Sequence, residues 1–294
     1  MTTGGRLVQH RYTNSGEGYV SLPKLCQAFL AIGAPILDIA RPTSTNTSAL
    51  PDDDPNLKVV RADYTSASEI SAILRENKVD VLISTVTFFF GGVVVQDVLA
   101  DAAKEAGVKL FVPSEFGVSP PAAGLSHEKH DFAVYAKSIG LPTLRVYNGF
   151  FHDFVPWVTA LTETGKFHIV SKGKMPGSFT AISDVAGYVA HILTTQPPSR
   201  LLDVEVRIEG QRATLLEISA LYKGSVPVVH CDALPTEGVL AADFRTGYQH
   251  RFDFGGASSG WNPETESDDA ELANKDNSLW ERHRWLTVGE VLGL

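Results

Sequence analysis

V-K-L-F-V-P-S-E-F-G, Val108 to Gly117, is the stretch whose reading decides the fold, with Lys129 a short way beyond it. The apolar run Leu110 to Val112 stops at Pro113, which has no N–H to give to a strand ladder, and Ser114, Glu115, Phe116 and Gly117 follow. This is the pattern of a buried strand ending at a polar lip. The helical pattern Ala100 to Ala106 feeds straight into it, as expected of a parallel strand covered on both faces. In open parallel sheets ligands sit outside the carboxyl ends of the strands, so Pro113, Ser114 and Glu115 are expected beside a ligand. Taken alone, P-S-E reads as a turn capped by Ser114 with a solvated Glu115.

The same alternation of short apolar runs and helical patterns extends upstream. Gly33 closes a helix over Lys24 to Ile32, and Ala34 to Ala40 reads as a strand. Thr43 to Asn56 is polar and proline-bearing, a loop. Leu57 to Ala62 gives a further strand, Ser66 to Glu76 a helix with Ser66 and Glu69 in capping-box spacing, and Val79 to Ile83 a strand. The first thirty residues fit least well: Leu7 to Tyr12 alternates with polar residues, including His10 and Arg11, instead of showing the continuous apolar run of a central parallel strand.

Composition limits the class. In 294 residues, 44% hydrophobic content is enough for one large core, or a core with a satellite. A net charge of -9 with no Lys/Arg cluster argues against nucleic acid as a partner, because neutralising phosphates needs a basic face. The cysteines, Cys26 and Cys231, are too few for a disulfide framework or a four-thiolate metal site. Met1 to His10 lacks the apolar run of a signal peptide and no stretch approaches membrane-spanning length, so a cytosolic protein is expected. His127 and His130 share a helix face, but no Glu-x-x-His or His-Glu-x-x-His pattern accompanies them, and no metal is expected.

The run F-V-P-S-E-F-G, a lysine twelve residues after its glycine, and a helix ending K-S-I-G-L-P (Lys137 to Pro142) together resemble the NmrA-like and isoflavone-reductase-like branch of the atypical short-chain dehydrogenases. The similarity runs in order and spacing from Ala28 to about Leu193, and more loosely to the C-terminus. It implies a Rossmann-type doubly wound parallel sheet, followed by a smaller C-terminal α/β substrate domain, and NADPH as cofactor. The division implied is a nucleotide-binding domain over 1–150, with 179–195 packing back on it, and a mainly substrate-binding domain over 151–294. The family's three glycine positions, counted back from Gly33, fall at Gly16, Tyr19 and Leu22; Gly16 alone matches and Gly18 is a partial substitute. Only glycine lets the backbone approach a pyrophosphate at a helix start. The departure therefore reads either as a remodelled turn or as the altered start of an impaired relative, and G-E-G by itself reads as an ordinary turn.

Within that frame the candidate residues can be assigned. Arg41 stands at the carboxyl end of its strand, about 20 residues after the glycine turn, where an acidic residue favours NAD and an arginine fork suits the 2'-phosphate of NADP. Thr43 follows as a small polar neighbour, and the competing reading is a surface arginine opening a loop. Asp38 lies inside the strand and is not the NAD-selecting acid. Ser84, Thr85 and Val86 end the fourth strand and lead to Phe88, Phe89 and Phe90, a loop expected on the nicotinamide side with Phe88 toward substrate.

Where common short-chain dehydrogenases carry a tyrosine four residues before the lysine, this chain has Leu125, so the resemblance leaves the polar work to Lys129. An ammonium at a helix start beside a semi-buried pocket can bind ribose hydroxyls and polarise or protonate a substrate oxygen. The strand Pro142 to Val146 delivers Asn148 and Phe150 as cofactor neighbours, with Phe151 and His152 toward substrate, and a plain core role for one phenylalanine is an equal reading.

Further on, Phe154 to Glu163 is predicted as one helix, and Gly255 to Asn277, rich in Gly, Ser, Asp and Glu, as a solvated loop or a lid. The expected activity is hydride transfer from NADPH to a carbonyl or activated double bond of a small organic molecule, aromatic ones and secondary metabolites included. The expected assembly is a monomer or homodimer without membrane partners. The competing class is a non-catalytic NADP-binding sensor with a protein partner, which the missing tyrosine and the altered glycine turn keep open, as they do an impaired relative.

Overall fold

Parallel strands need long crossovers, and the first part of the chain supplies them with helices. The computed structural model describes residues 6–11, 22–42, 50–51, 53–86, 92–121 and 127–294. In chain order these form β1 (Arg6–Arg11), α1 (Leu22–Ala31), β2 (Ile36–Ala40), β3 (Leu57–Arg61), α2 (Ala67–Glu76), β4 (Val79–Thr85), α3 (Gly92–Ala106), β5 (Leu110–Val112) and α4 (His127–Ser138). Then come β6 (Leu144–Tyr147), β7 (Phe150–Phe151), α5 (Val155–Val158), α6 (Leu161–Thr164), β8 (Phe167–Val170), β9 (Gly177–Thr180) and α7 (Ile182–Thr195). β10 (Val204–Arg207), β11 (Gln211–Ala213), α8 (Leu215–Leu221), β12 (Val228–Cys231) and α9 (Ala242–Asp253) follow. Two compact units result: Met1–Phe116 with Pro120–Val146 and Ala186–Val206, and Gly117–Ser119 with Tyr147–Val185 and Arg207–Leu294.

In the first unit the described strands make a parallel sheet of order β3-β2-β1-β4-β5. The chain winds outward one way from β1 to β3, then returns and winds the other way, so its direction reverses between β1 and β4. This is the doubly wound α/β arrangement. β1 holds the central place although its sequence lacks a continuous apolar run; what the position demands first is backbone donors and acceptors on both edges, and β1 pairs with β2 and with β4. β4 runs two residues further than predicted and carries Ser84 and Thr85 into the sheet, opposite His10 and Arg11.

Every residue of β2 is buried. Successive strand side chains alternate in direction, and Leu37 and Ile39 join one core with Leu82, Phe111, Ile70, Leu74, Leu99 and Phe132, drawn from β4, β5, α2, α3 and α4. Each such side chain stabilises by roughly 1.5–3 kcal/mol when fully buried. The start of α2 is fixed as predicted, the Glu69 N–H donating to Ser66 Oγ at 3.3 Å.

The second unit contains the three-stranded sheet β11-β9-β7 and the parallel pair β8–β12. The single helix predicted over Phe154 to Glu163 does not form. A 3₁₀ turn at His152–Phe154, α5 and α6 take its place, with Ala160 left-handed at φ 54°. The carbonyls a continuous helix would use internally are taken by tertiary donors: Arg245 Nη2 bonds Trp157 O, Gln249 Nε2 bonds Val158 O at 2.7 Å, and His168 N bonds Thr159 O at 3.0 Å. Arg245 and Gln249 lie four residues apart on α9, a helix that the sequence reading does not mark.

Gly255 to Trp261 is likewise not a solvated loop, for all seven residues are buried. Arg207 donates to Ser259 O and, at 3.3 Å, to Trp261 O, while Arg212 donates to Ser258 Oγ at 3.2 Å and to Glu209 Oε2 at 3.1 Å. Ser178 Oγ donates to Glu209 and accepts the Ser259 N–H at 3.0 Å. Glycine and serine here serve close backbone approach and internal hydrogen bonding instead of exposure. Thr287 and Glu290 form the predicted capping box. Among the described residues no helix is long and apolar enough to cross a membrane.

Arg245 is fully buried and pairs with Glu163, Nη1 to Oε1 at 2.6 Å. Burial alone raises the Glu163 carboxyl, but the hydrogen bonds and charge of Arg245 outweigh it and hold it below the usual carboxylate range. Glu163→Gln is expected to cost about 2 kcal/mol in urea unfolding at neutral pH, less than the ~3–5 kcal/mol of a fully buried broken pair because Glu163 is partly exposed. A depressed folded-state value gives stability that is present above the unfolded value and is lost as pH falls through the folded one. The stabilities of the parent and the variant should therefore converge on acidification.

Candidate functional site

The carboxyl ends of the first unit's strands carry its polar side chains. At the end of β2 stands Arg41, half-buried, and Arg61 at the end of neighbouring β3 donates to its carbonyl at 2.9 Å and to Pro42 O at 3.0 Å. Arg61 is not singled out in the sequence reading; its signal is a cation as the last residue of the adjacent strand. At the end of β4, Ser84 is buried, with its Oγ unpartnered among the described residues, and Thr85 and Val86 are buried beside it in sequence. Gly16, Gly18, Thr43 and Phe88 lie outside the described residues.

Beyond β5 the backbone turns sharply. Pro113 ends the strand, the Glu115 N–H donates to Pro113 O at 2.7 Å, and Phe116 sits at φ 23°. The Ser114 N–H donates to Gln96 Oε1 at 2.8 Å, so a buried glutamine of α3 holds the turn from behind. Gln96 was legible as the one polar residue in the run V-V-V-Q, but it was not singled out. From α4, the Lys129 ammonium donates to the Glu115 carbonyl. Ser114, Glu115 and Lys129 are thus brought together, with Lys129 part-buried at the first turn of its helix.

The Glu115 carboxyl is completely buried and accepts no hydrogen bond among the described residues. Burial pushes it up to about 7, against the pull of Lys129 and Arg145 and with a further push from Glu205. Arg145 on β6 and Glu205 on β10 form an ion pair at 2.5 Å. Neither was singled out in sequence, since each lies mid-strand in a segment with no motif.

In the second unit, the Asn148 and Gly149 N–H groups donate to Gly117 O at 2.8 and 2.9 Å, and Thr180 Oγ1 donates to Asn148 O at 2.7 Å. Asn148 is buried, and its Oδ1 has no partner among the described residues. Phe150 packs on Tyr248 (centroids 5.4 Å), Phe252 (5.7 Å) and Phe179 (6.1 Å). Phe151 meets Phe154 at 5.9 Å, Phe154 meets Trp157 at 6.3 Å, Trp157 meets Phe244 at 6.3 Å, and Phe244 meets Tyr248 at 5.7 Å, linking the aromatics in one chain. Phe150 and Phe151 are both buried. His152, also buried, is held down to about 4 by desolvation, against the lift of the Phe179 carbonyl and Asp153, and is neutral at pH 7. His127 has ion-pair distances of 3.6 Å to Glu128 and 4.0 Å to Asp131.

The chain matches the model of the NmrA-like family over residues 23–292. It is 29% identical over 170 residues to pinoresinol reductase 1 of Arabidopsis thaliana, covering 53% of this chain and 53% of that protein. It is 28% identical over 178 residues to asnovolin J 5',6'-dehydrogenase of Aspergillus novofumigatus, covering 56% and 54%. These matches span about half the length of the curated relatives. Over 98% of both chains it superposes on the binary complex of leucoanthocyanidin reductase with NADPH from Vitis vinifera, with a TM-score of 0.74 and 20% identity. At that identity the likeness is one of fold, and the fold is the Rossmann type.

Gly149 fixes the Asn148–Phe150 segment. At φ 70° a Cβ there would sit 2.3 Å from the Ser178 carbonyl oxygen, a backbone atom that cannot swing away. Gly149→Ala is expected to destabilise the protein by more than about 2 kcal/mol in chemical unfolding, the sum of left-handed strain and a backbone clash.

Proposed function

The chain belongs to the NmrA-like family, and on that premise we propose that it is an NADPH-dependent oxidoreductase acting on a carbonyl or activated double bond of a small organic substrate. The observation that carries this reading is the Lys129 ammonium, held at the lip of β5 by the Glu115 carbonyl and next in the fold to the strand ends where the sheet reverses direction. An amine so held has a fixed position and a proton to give.

The residues present fit a pyridine dinucleotide. Arg41 and Arg61 close neighbouring strands, and an arginine at this place suits a 2'-phosphate. The unpartnered buried Ser84 Oγ at the end of β4 suits a polar ligand crossing the strand ends. Gly16, Gly18, Arg41, Thr43, Ser84, Thr85, Val86, Pro113, Ser114, Lys129, Asn148 and Phe150 are the residues assigned to holding it. NADPH, when bound, supplies the hydride.

The chain's own part is orientation, exclusion of water and supply of a proton. Lys129 donates a proton to, or polarises, the substrate oxygen on which negative charge develops. The turn held by Gln96 keeps that amine's anchor rigid. Phe88, Phe151 and His152 are assigned to the substrate side; Glu115, expected there from the sequence, has its carboxyl fully buried. The run of aromatics from Phe151 to Tyr248 supports a flat, apolar substrate, and a neutral His152 can donate or accept a hydrogen bond without adding charge.

Calorimetric titration should give tighter binding of NADPH than of NADH, and Arg41→Ala should weaken NADPH by roughly ten-fold or more while leaving NADH unchanged, the loss of a charge-assisted phosphate contact. Equal affinity of the parent for both would remove Arg41 from this role. In a panel of quinones, enones and carbonyl compounds followed by NADPH oxidation, Lys129→Ala should lose about 10²–10⁴-fold in kcat and no more than about ten-fold in affinity for NADPH, the loss of one contact among the many assigned to holding it. An unchanged rate would transfer the proton donor elsewhere.

A further inference from the structure

The side chain of Glu115 is sealed from water and accepts no hydrogen bond among the described residues, yet it sits on the residue whose carbonyl receives the Lys129 ammonium. The Lys129 ammonium is held on the carbonyl of this same residue, and the charges that act on the carboxyl are those of Lys129 on α4, Arg145 on β6 and Glu205 on β10. Arg145 and Glu205 are themselves joined at 2.5 Å, so their effects on Glu115 largely oppose one another. The α3 residue behind the turn, Gln96, is neutral. Lys129 is therefore the cation whose charge the Glu115 carboxyl senses most.

We infer that Glu115 is a positioning residue acting through Lys129: its sealed carboxyl group sets how firmly the neighbouring ammonium holds its proton, and so the pH range over which Lys129 serves as a donor. The inference rests on the lysine role proposed above and goes beyond it by naming what tunes that lysine. Burial raises the carboxyl above the usual carboxylate range, so it takes up its proton earlier on acidification than a solvated glutamate does. When it is ionised, the adjacent negative charge stabilises the ammonium and the proton is held. When it is protonated, that support is gone and the proton leaves more readily. The coupling is reciprocal: loss of the lysine charge must raise the carboxyl by as much as loss of the carboxylate lowers the lysine.

The test uses the full chain without cofactor. Competitive labelling with limiting acetic anhydride, read by mass on the Lys129 peptide across pH, should show the midpoint of Lys129 reactivity falling by about one unit in Glu115→Gln. The other lysines serve as internal references that do not move. A Lys129 midpoint unchanged in a folded Glu115→Gln protein would overturn the inference. Infrared pH-difference spectra give the converse measurement. The parent should show a carboxylic C=O band titrating near neutrality and missing from Glu115→Gln, and in Lys129→Met its midpoint should rise. If Glu115→Gln fails to fold, the comparison of the parent with Lys129→Met decides alone, and a band whose midpoint does not rise overturns the inference. Should the labelling midpoint move while Lys129→Ala retains full turnover, the coupling stands and the proton-donor reading of Lys129 falls.

Discussion

An ammonium group resting on a main-chain carbonyl is the contact around which the lip of the first unit's sheet is arranged. The Lys129–Glu115 bond ties the first turn of α4 to the lip of β5, and it does so where the backbone has least freedom. Pro113 forbids further strand pairing, Glu115 N folds back on Pro113 O, and Phe116 occupies a positive φ. A lysine on a free loop would sample many rotamers. Here its anchor lies in a turn whose Ser114 N–H is held by Gln96 and whose Glu115 N–H is held by Pro113 O. Position is thus fixed by backbone constraint, and the residue that provides the anchor also carries a fully buried carboxyl.

How much of this was legible depended on where the information lies. The order β-α-β through residue 146 follows from apolar runs of strand length separated by helical periodicity, and the α2 and last-helix caps were readable from Ser66/Glu69 and Thr287/Glu290. Such features are local. The pairing of Lys129 with the Glu115 turn was approachable because a motif marks both ends. Arg61, Gln96, Arg145 and Glu205 carry no motif; Arg61 is placed by strand register, opposite Ala40, Gln96 by the packing of α3 behind the turn, and Arg145 and Glu205 by the pairing of β6 with β10. The central β1 was underrated because alternation of side chains says little about whether a backbone can pair on both edges.

The second unit shows the opposite failure. Gly255 to Trp261 has the composition of a loop and the burial of a core, because Arg207 and Arg212 supply hydrogen bonds that a composition count cannot see. The helix expected at Phe154 to Glu163 is interrupted by donors from a helix about ninety residues downstream. Propensity was overruled by tertiary hydrogen bonding in both places.

That interruption has a bearing on how the protein comes into being. During synthesis the stretch around Thr159 leaves the ribosome well ahead of Arg245 and Gln249, and until they arrive its carbonyls have only their own chain and water to bond. The break at Ala160 therefore cannot be fixed by those bonds until the late helix is present. The aromatic group shares this schedule, since Phe244 and Tyr248 ride on the same late helix. Maturation of the second unit is accordingly a C-terminal event, and chains halted before that helix would carry uncovered phenylalanines, the kind of surface on which chaperones act.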